Sequence, residues 1–316
     1  MSPQKLRIVC ISDTHNASPG QGYTLPKGDI LIHAGDLTNN GQPSEIRRAI
    51  AWIREADYEH KVVVAGNHDC CLDSALSSRA DQPIEREQDE VEDEEAAQLR
   101  RMLREDDSIT YLEHESRVAT VKGVEIKVFG SPWSPASSSP SASPTSSSNQ
   151  HAAFQYPPSQ AQQLWSNIPS DTTLLITHTP PAGHLDNSAH WTHGGCPALS
   201  QALLRTKPRL HVCGHCHKGR GAHVVSWSDE AEVEAEHGVT EWIDPGAGNK
   251  KQSFFGLTAE KKERRAVAPT AAAADADDDD DVAKETAIVN ASIMAKSHGR
   301  GAKAFNKPIV VDIELP

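Results

Sequence analysis

The sequence predicts an α/β fold, and two observations carry that prediction. Short runs of β-branched residues recur along the chain, and each ends at a turn signal holding Asp, Gly or Asn. That is the pattern of buried strands in a covered sheet. Between these runs lie segments with apolar residues at helical spacing, each suited to cover a sheet face.

The elements follow in order. Residues 6–11, 30–34 and 61–65 read as the first three strands. A helix between the second and third opens at Pro43, whose fixed φ suits a first helical position, and it carries Ile46, Ala49, Ile50 and Ile53 on one face. Helices are expected at 94–105 (with Leu99, Met102 and Leu103), 159–166 and 197–204. Ser159 and Gln162 have capping-box spacing at the start of the second of these. Further strands are expected at 117–121, 124–129, 173–177, 209–213, 239–243, 286–290 and 308–313. Strands and helices alternate in the first half, and strands dominate the second.

The charge pattern marks what interrupts this core. The chain of 316 residues carries a formal charge of −13. Glu85 to Glu95 holds eight carboxylates and one Arg, and Asp275 to Asp281 holds six carboxylates. Those two tracts account for the whole charge. A third, Asp229 to Glu236, holds five carboxylates, which leaves the remainder at +5. The acidity belongs to tracts and not to the body, and nothing in the sequence has the basic excess of a dedicated DNA-binding protein. Residues 79–95, 134–150 (nine Ser, three Pro) and 259–285 are poor in large apolar residues. They cannot bury enough surface to offset their ordering entropy, so they read as disordered insertions in a single domain spanning 1–316. No apolar run is long enough for a membrane span. Six cysteines in no disulfide-like framework point to a reduced, intracellular protein, expected in the cytoplasm with the nucleus as the alternative.

The chemistry lies just past the strands. Asp13-Thr14-His15 follows the first, Gly35-Asp36 the second and Gly66-Asn67-His68-Asp69 the third. Thr177-His178 ends the strand at 173–177, and Gly214-His215-Cys216-His217 follows the strand at 209–213. Ligand sites in open α/β sheets form beyond the carboxyl ends of strands. Asp, Asn and His delivered to five such ends in order point to a metal site. The mixed nitrogen and oxygen donors suit Mn, Fe, Zn or Ni.

These pieces, D-x-H, G-D, G-N-H-D, H and G-H-x-H, resemble the signature of the calcineurin-like metallophosphoesterase superfamily. The text around them is similar to its metallophosphoesterase-domain-containing branch: Cys10 to His15, Ile32 to Asp36, Gly130 to Trp133, Thr177-His178 with Pro180-Pro181, Pro208 to Val212, Val289 to Ser292, and Lys307 to Asp312. The resemblance implies a four-layer α/β/β/α sandwich with its site at the strand ends. It implies two divalent metal ions, one held by Asp13, His15, Asp36 and His217, the other by Asp36, Asn67, His178 and His215. Asp36 bridges them. Such a pair, about 3.5–4 Å apart, shares and acidifies a water for in-line attack on phosphorus and offsets charge on the phosphate. His68 is expected to act on the leaving group, with Asp69 fixing its tautomer and raising its pKa. The implied substrate is a small phosphoester or nucleotide, a phosphodiester such as a cyclic nucleotide before a phosphomonoester, with a weakly active nucleotide- or protein-binding scaffold as the rival.

Departures from the branch lie in Lys218 and Arg220, whose charge could face a substrate phosphate, and in His184, expected on the surface. Cys70, Cys71, Cys213 and Cys216 read as packed thiols. His33 and His211, within strands, are expected to hydrogen-bond behind the metal ligands.

Overall fold

From Ile8 to Ile11 the first strand is apolar on both faces, because this half of it lies between two layers. In the computed structural model, which describes residues 4–78, 87–136, 152–187, 194–227, 236–257, 267–269, 285–295 and 304–315, Leu6, Ile8 and Cys10 join one core while Val9 and Ile11 join another. The strands are β1 (Gln4–Ile11), β2 (Ile30–Ala34), β3 (His60–Val64), β4 (Thr110–Tyr111), β5 (Glu115–Val121), β6 (Val124–Ser131), β7 (Ser134–Pro135), β8 (Gln155–Tyr156), β9 (Leu174–Thr177), β10 (Leu210–Cys213), β11 (Gly221–Trp227), β12 (Glu236–Trp242), β13 (Ser253–Leu257), β14 (Val267–Pro269), β15 (Glu285–Asn290) and β16 (Ile309–Leu315). The helices are α1 (Pro43–Glu55), α2 (Ser74–Ser78), α3 (Glu87–Arg104), α4 (Ala161–Ser166) and α5 (Pro197–Thr206).

Among the described residues one sheet runs β13-β16-β1-β2-β3-β4 and the other β14-β12-β11-β15-β10-β9-β6-β5. β1 to β4 are mutually parallel, as are β6, β9, β10 and β15. The inner faces meet in one core of Ile8, Ile32, Val62 and Val64 against Val128, Ile176, Val212 and Val289. On the outside of the first sheet, Ile46, Ile50 and Ile53 of α1 and Leu99 and Leu103 of α3 cover Val63. On the outside of the second, Trp165 of α4 and Leu199 and Leu203 of α5 cover Phe129, Leu175 and Ile288. The four layers expected are the four layers present. Pro43 opens α1, and Glu45 accepts the Asn40 and Gln42 N–H groups at 3.0 and 3.1 Å, satisfying donors the helix start leaves unpaired.

Four expectations change. Residues 87–95 are not an irregular insertion but the first half of α3. Glu and Gln are good helix formers, and acidic side chains suit a helix start. Glu95 pairs with Arg47 of α1. Within 259–285, Val267–Pro269 forms β14 against β12. Within 134–150, Ser134–Pro135 forms β7 against β8, and Ser134 is buried. Apart from Ala136 and Glu285, the remainder of the three stretches lies outside the described residues. The helix at 159–166 begins as a 3-10 turn over Pro158–Gln160, so Ser159 sits inside that turn and caps nothing.

Candidate metal centre

The loops that leave β1 and β2 are stitched together beyond the sheet. Asp13 N–H donates to the Gly35 carbonyl at 2.9 Å, His15 N–H to Asp36 at 3.1 Å and Asn16 N–H to Leu37 at 2.9 Å. This continues the β1–β2 pairing into a curl where Asp13, His15, Asn16 and Asp36 all take positive φ, between 42° and 69°. His215 does the same at 63°. Left-handed backbone costs on the order of 1–2 kcal/mol per L-residue, and its concentration here marks a functional site. Glycine is required where the curls touch. A Cβ at Gly35, itself at φ 97°, would lie 2.5 Å from His178 Nδ1, and one at Gly66 would collide with the Asp36 carboxylate.

Seven side chains converge on the strand ends. Asp13 Oδ1 lies 3.2 Å from His217 Nε2, which lies 3.3 Å from His15 Nε2. Asp36 Oδ2 lies 3.8 Å from His15 Nε2, and its Oδ1 lies 3.4 Å from His178 Nε2. Asn67 Oδ1 completes the second cluster, 3.0 Å from His178 Nε2 and 2.8 Å from His215 Nδ1. The result is three overlapping groups, Asp13/His15/His217, Asp36/His178/His215 and, between them, His15/Asp36/His68, each able to present its donor atoms to one ion. Asp36 reaches toward both outer groups.

The donor set fits cations. His15 Nδ1 faces the Thr38 carbonyl at 3.0 Å, and His178 Nδ1 faces that of Ala34 at 2.9 Å. A carbonyl only accepts, so Nδ1 carries the proton and the Nε2 lone pair points into the cluster. Such outer hydrogen bonds are how metal-binding imidazoles are held. Lone-pair donors placed head to head, as His15 and His217 are, satisfy one another only when one is protonated. A cation between them satisfies all of them.

The electrostatics agree. Burial pushes His15 down to about 4 and His215 down to about 3, which keeps both neutral. Burial opposes ionisation of Asp13 and Asp36, yet His217 beside the first and His178 beside the second hold both below the ordinary carboxylate range. His178 differs: against burial, Asp36 and Asp13 carry it up to about 9, so without a cation its Nε2 holds a proton that a bound cation would replace. Two buried carboxylates that stay ionised are a strong pull on cations.

His68 stands at the edge of the cluster, exposed, its ring 4.9 Å from that of His15. Its Nδ1 donates to the Asn39 carbonyl at 2.7 Å, so Asn39, not Asp69, fixes the tautomer. The Asp36 charge is the main cause of its raised pKa, with Asp69 a lesser contributor. Asp69 is buried and holds the loops instead. It accepts Gly66 N–H at 2.8 Å, Thr38 N–H at 2.9 Å, Thr38 Oγ1–H at 2.8 Å and Leu37 N–H at 3.2 Å.

Arg220 is a second correction. Its guanidinium donates to Asp244 Oδ2 at 3.0 Å, to the Lys307 carbonyl at 2.8 Å and to Ser253 Oγ at 3.3 Å, which commits it to structure. Lys218 is exposed on the turn after His217. His184 is buried, not on the surface, with Nδ1 3.2 Å from His223 Nδ1. His33 and His211 lie behind the ligands as expected, bonded to the hydroxyls of Thr14 and Thr177 at 3.0 and 2.7 Å. All six cysteines are free, and burial pushes the thiols of Cys70, Cys71, Cys213 and Cys216 up. Four supporting residues had no role assigned from the sequence: Thr38, Asn39, Asn290 and Ser292. Only Asn290 and Ser292 carried a signal: they close and follow the strand at 286–290 and lie in the Val289–Ser292 stretch similar to the branch.

Residues 6–219 match the family model described as calcineurin-like phosphoesterase. The chain is 39% identical over 225 residues to a probable rhamnogalacturonate lyase C of Emericella nidulans, a match covering 70% of this chain and 18% of that one. It is 34% identical over 229 residues to human metallophosphoesterase domain-containing protein 1, covering 69% and 63%. It is 33% identical over 226 residues to a UPF0046 protein of Caenorhabditis elegans, covering 68% and 65%. The chain spans less than two thirds of each of these relatives.

Proposed function

The chain belongs to the calcineurin-like phosphoesterase family, and we propose that its site hydrolyses a phosphodiester with two divalent cations bound. The carrying observation is the pair of donor clusters that meet at Asp36. Two ions held there would neutralise phosphate charge and activate water for in-line attack. Asp13, His15 and His217 would hold one, and Asn67, His178 and His215 the other, with Asp36 between them. The chain's own residues do the rest. Asn39 orients His68 so that Nε2 is left for the substrate, and the negative charge growing on the leaving oxygen favours its imidazolium form. That Nε2–H can be passed to the departing alkoxide oxygen, leaving neutral imidazole.

A diester suits the site better than a monoester. A monoester dianion calls for extra fixed cations, and Arg220 is committed to Asp244. Cyclic nucleotides are the diesters we favour. Purified protein with Mn²⁺ should cleave bis-p-nitrophenyl phosphate faster than p-nitrophenyl phosphate, and should open 2′,3′- or 3′,5′-cyclic nucleotides. Asp36→Ala should lose turnover and metal together. Wild type that binds two ions yet matches Asp36→Ala on every substrate would establish a binding scaffold instead.

A further inference from the structure

Behind Asp13 lies a hydroxyl from the far end of the chain. We propose that Ser292 is a positioning residue that sets one half of the metal centre, an inference that rests on the two-cation reading above. Ser292 is buried, and its Oγ–H donates to Asp13 Oδ2 at 2.6 Å. This occupies one carboxylate oxygen and turns the other, Oδ1, toward His217 Nε2 at 3.2 Å. Asp13 therefore offers the ion a single oxygen in a fixed direction.

The hydroxyl is itself held firmly. The residues after β15 leave the second sheet and cross to the first, with Ala291 N–H donating to the Cys213 carbonyl at 2.8 Å and Ile293 N–H to that of Ser12 at 3.0 Å. Asn290, also buried, locks the crossing. Its Oδ1 accepts the Ser292 N–H at 3.1 Å, and its Nδ2 donates to the carbonyls of Cys216 and Leu185, each at 2.9 Å. The crossing thus ties the loop of His215 and His217 to the loop of Asp13, and Ser292 is the member that touches a ligand. It lies outside residues 6–219, which match the family model. Both carboxylates also accept a backbone N–H, Asp13 from His215 at 3.1 Å to each oxygen and Asp36 from His68 at 2.9 Å to Oδ1. The side-chain hydroxyl is what distinguishes Asp13, so Ser292 should act on that half of the centre.

The test is a Mn²⁺ titration of metal-free protein followed by electron paramagnetic resonance, which separates a spin-coupled pair from a lone ion. Wild type should fill two sites and show the coupled spectrum. Ser292→Ala should keep one site within about twofold and weaken the other about 10–100-fold, the usual effect of removing an outer hydrogen bond to a ligand. At Mn²⁺ concentrations that saturate wild type, its spectrum should be that of a lone ion. Ser292→Thr, which keeps the hydroxyl, should restore the pair. The proposal is overturned if Ser292→Ala fills both sites as wild type does. It is equally overturned if both sites weaken together with a lower melting temperature of the metal-free protein, which would mean general loosening. Should Ser292→Ala not fold, the near-isosteric Ser292→Cys takes its place with the same expectations. Failure of wild type itself to bind a pair is seen without any variant and would overturn the two-cation reading along with this one.

Discussion

His68 and Asp69 are neighbours in sequence with opposite fates. One side chain is exposed beside the cluster and the other is buried among backbone donors. Replacing His68 with Ala should lower turnover about 10²–10⁴-fold, the range for losing a general acid, while elemental analysis finds metal content unchanged. Retained activity within a few-fold would remove His68 from the mechanism. Asp69→Asn should act on stability instead. The amide has one acceptor oxygen where the carboxylate serves Gly66, Leu37 and Thr38, and its NH₂ group would face donors. Urea unfolding of the metal-free variant should show a loss of about 1–3 kcal/mol. A loss of turnover with no change in unfolding would return Asp69 to a direct catalytic role.

At the scale of elements, what the sequence made legible was what depends on local pattern. Strand ends carrying Asp, His and Asn stood out because turn residues and metal ligands coincide there, and the structure brings all seven together. Side chains whose role depends on a distant partner did not stand out. Arg220 looked like a spare cation because Asp244 is 24 residues away. Ser292 is separated from Asp13 by 279 residues. Asp69 was misread because adjacency to His68 suggested contact, whereas the loop sends it the other way. The acidic half of α3 was misread because charge density outweighed helix propensity. β11 escaped notice because His223 and Ser226 interrupt its apolar run, and β13 because Gly256 interrupts its own.

The pairing of β1 with β16 carries its own prediction. Arg7 Nε and Nη2 reach both oxygens of Asp312 at 2.8 and 2.9 Å, and Lys5 Nζ lies 3.1 Å away. Burial opposes ionisation of Asp312, but these partners hold its carboxyl below the usual range. A depressed folded pKa gives stability that is present above the unfolded value, near 3.8, and lost as pH falls through the folded one. Arg7 is half exposed, so Asp312→Asn should cost only about 1 kcal/mol at neutral pH. The gap from wild type should close in acid denaturation below that value. A gap that is constant with pH would mean the carboxylate charge contributes nothing.

For the whole molecule, the formal charge of −13 misdescribes the site. The acid lies in three tracts, partly on α3 and largely outside the described residues. At the site, Asp13 and Asp36 are buried and ionised, so bound cations would make the pocket positive toward phosphate. The candidate ligands come from both sheets, Asp13, His15, Asp36 and Asn67 from one and His178, His215 and His217 from the other. Binding metal therefore couples the two layers that the core holds together. The most direct test is anomalous scattering from crystals grown with Mn²⁺. The account predicts two peaks about 3.5–4 Å apart, with Asp36 between them, Asp13 at one and Asn67 at the other. A single peak, or a pair that leaves Asp36 to one side, would contradict it.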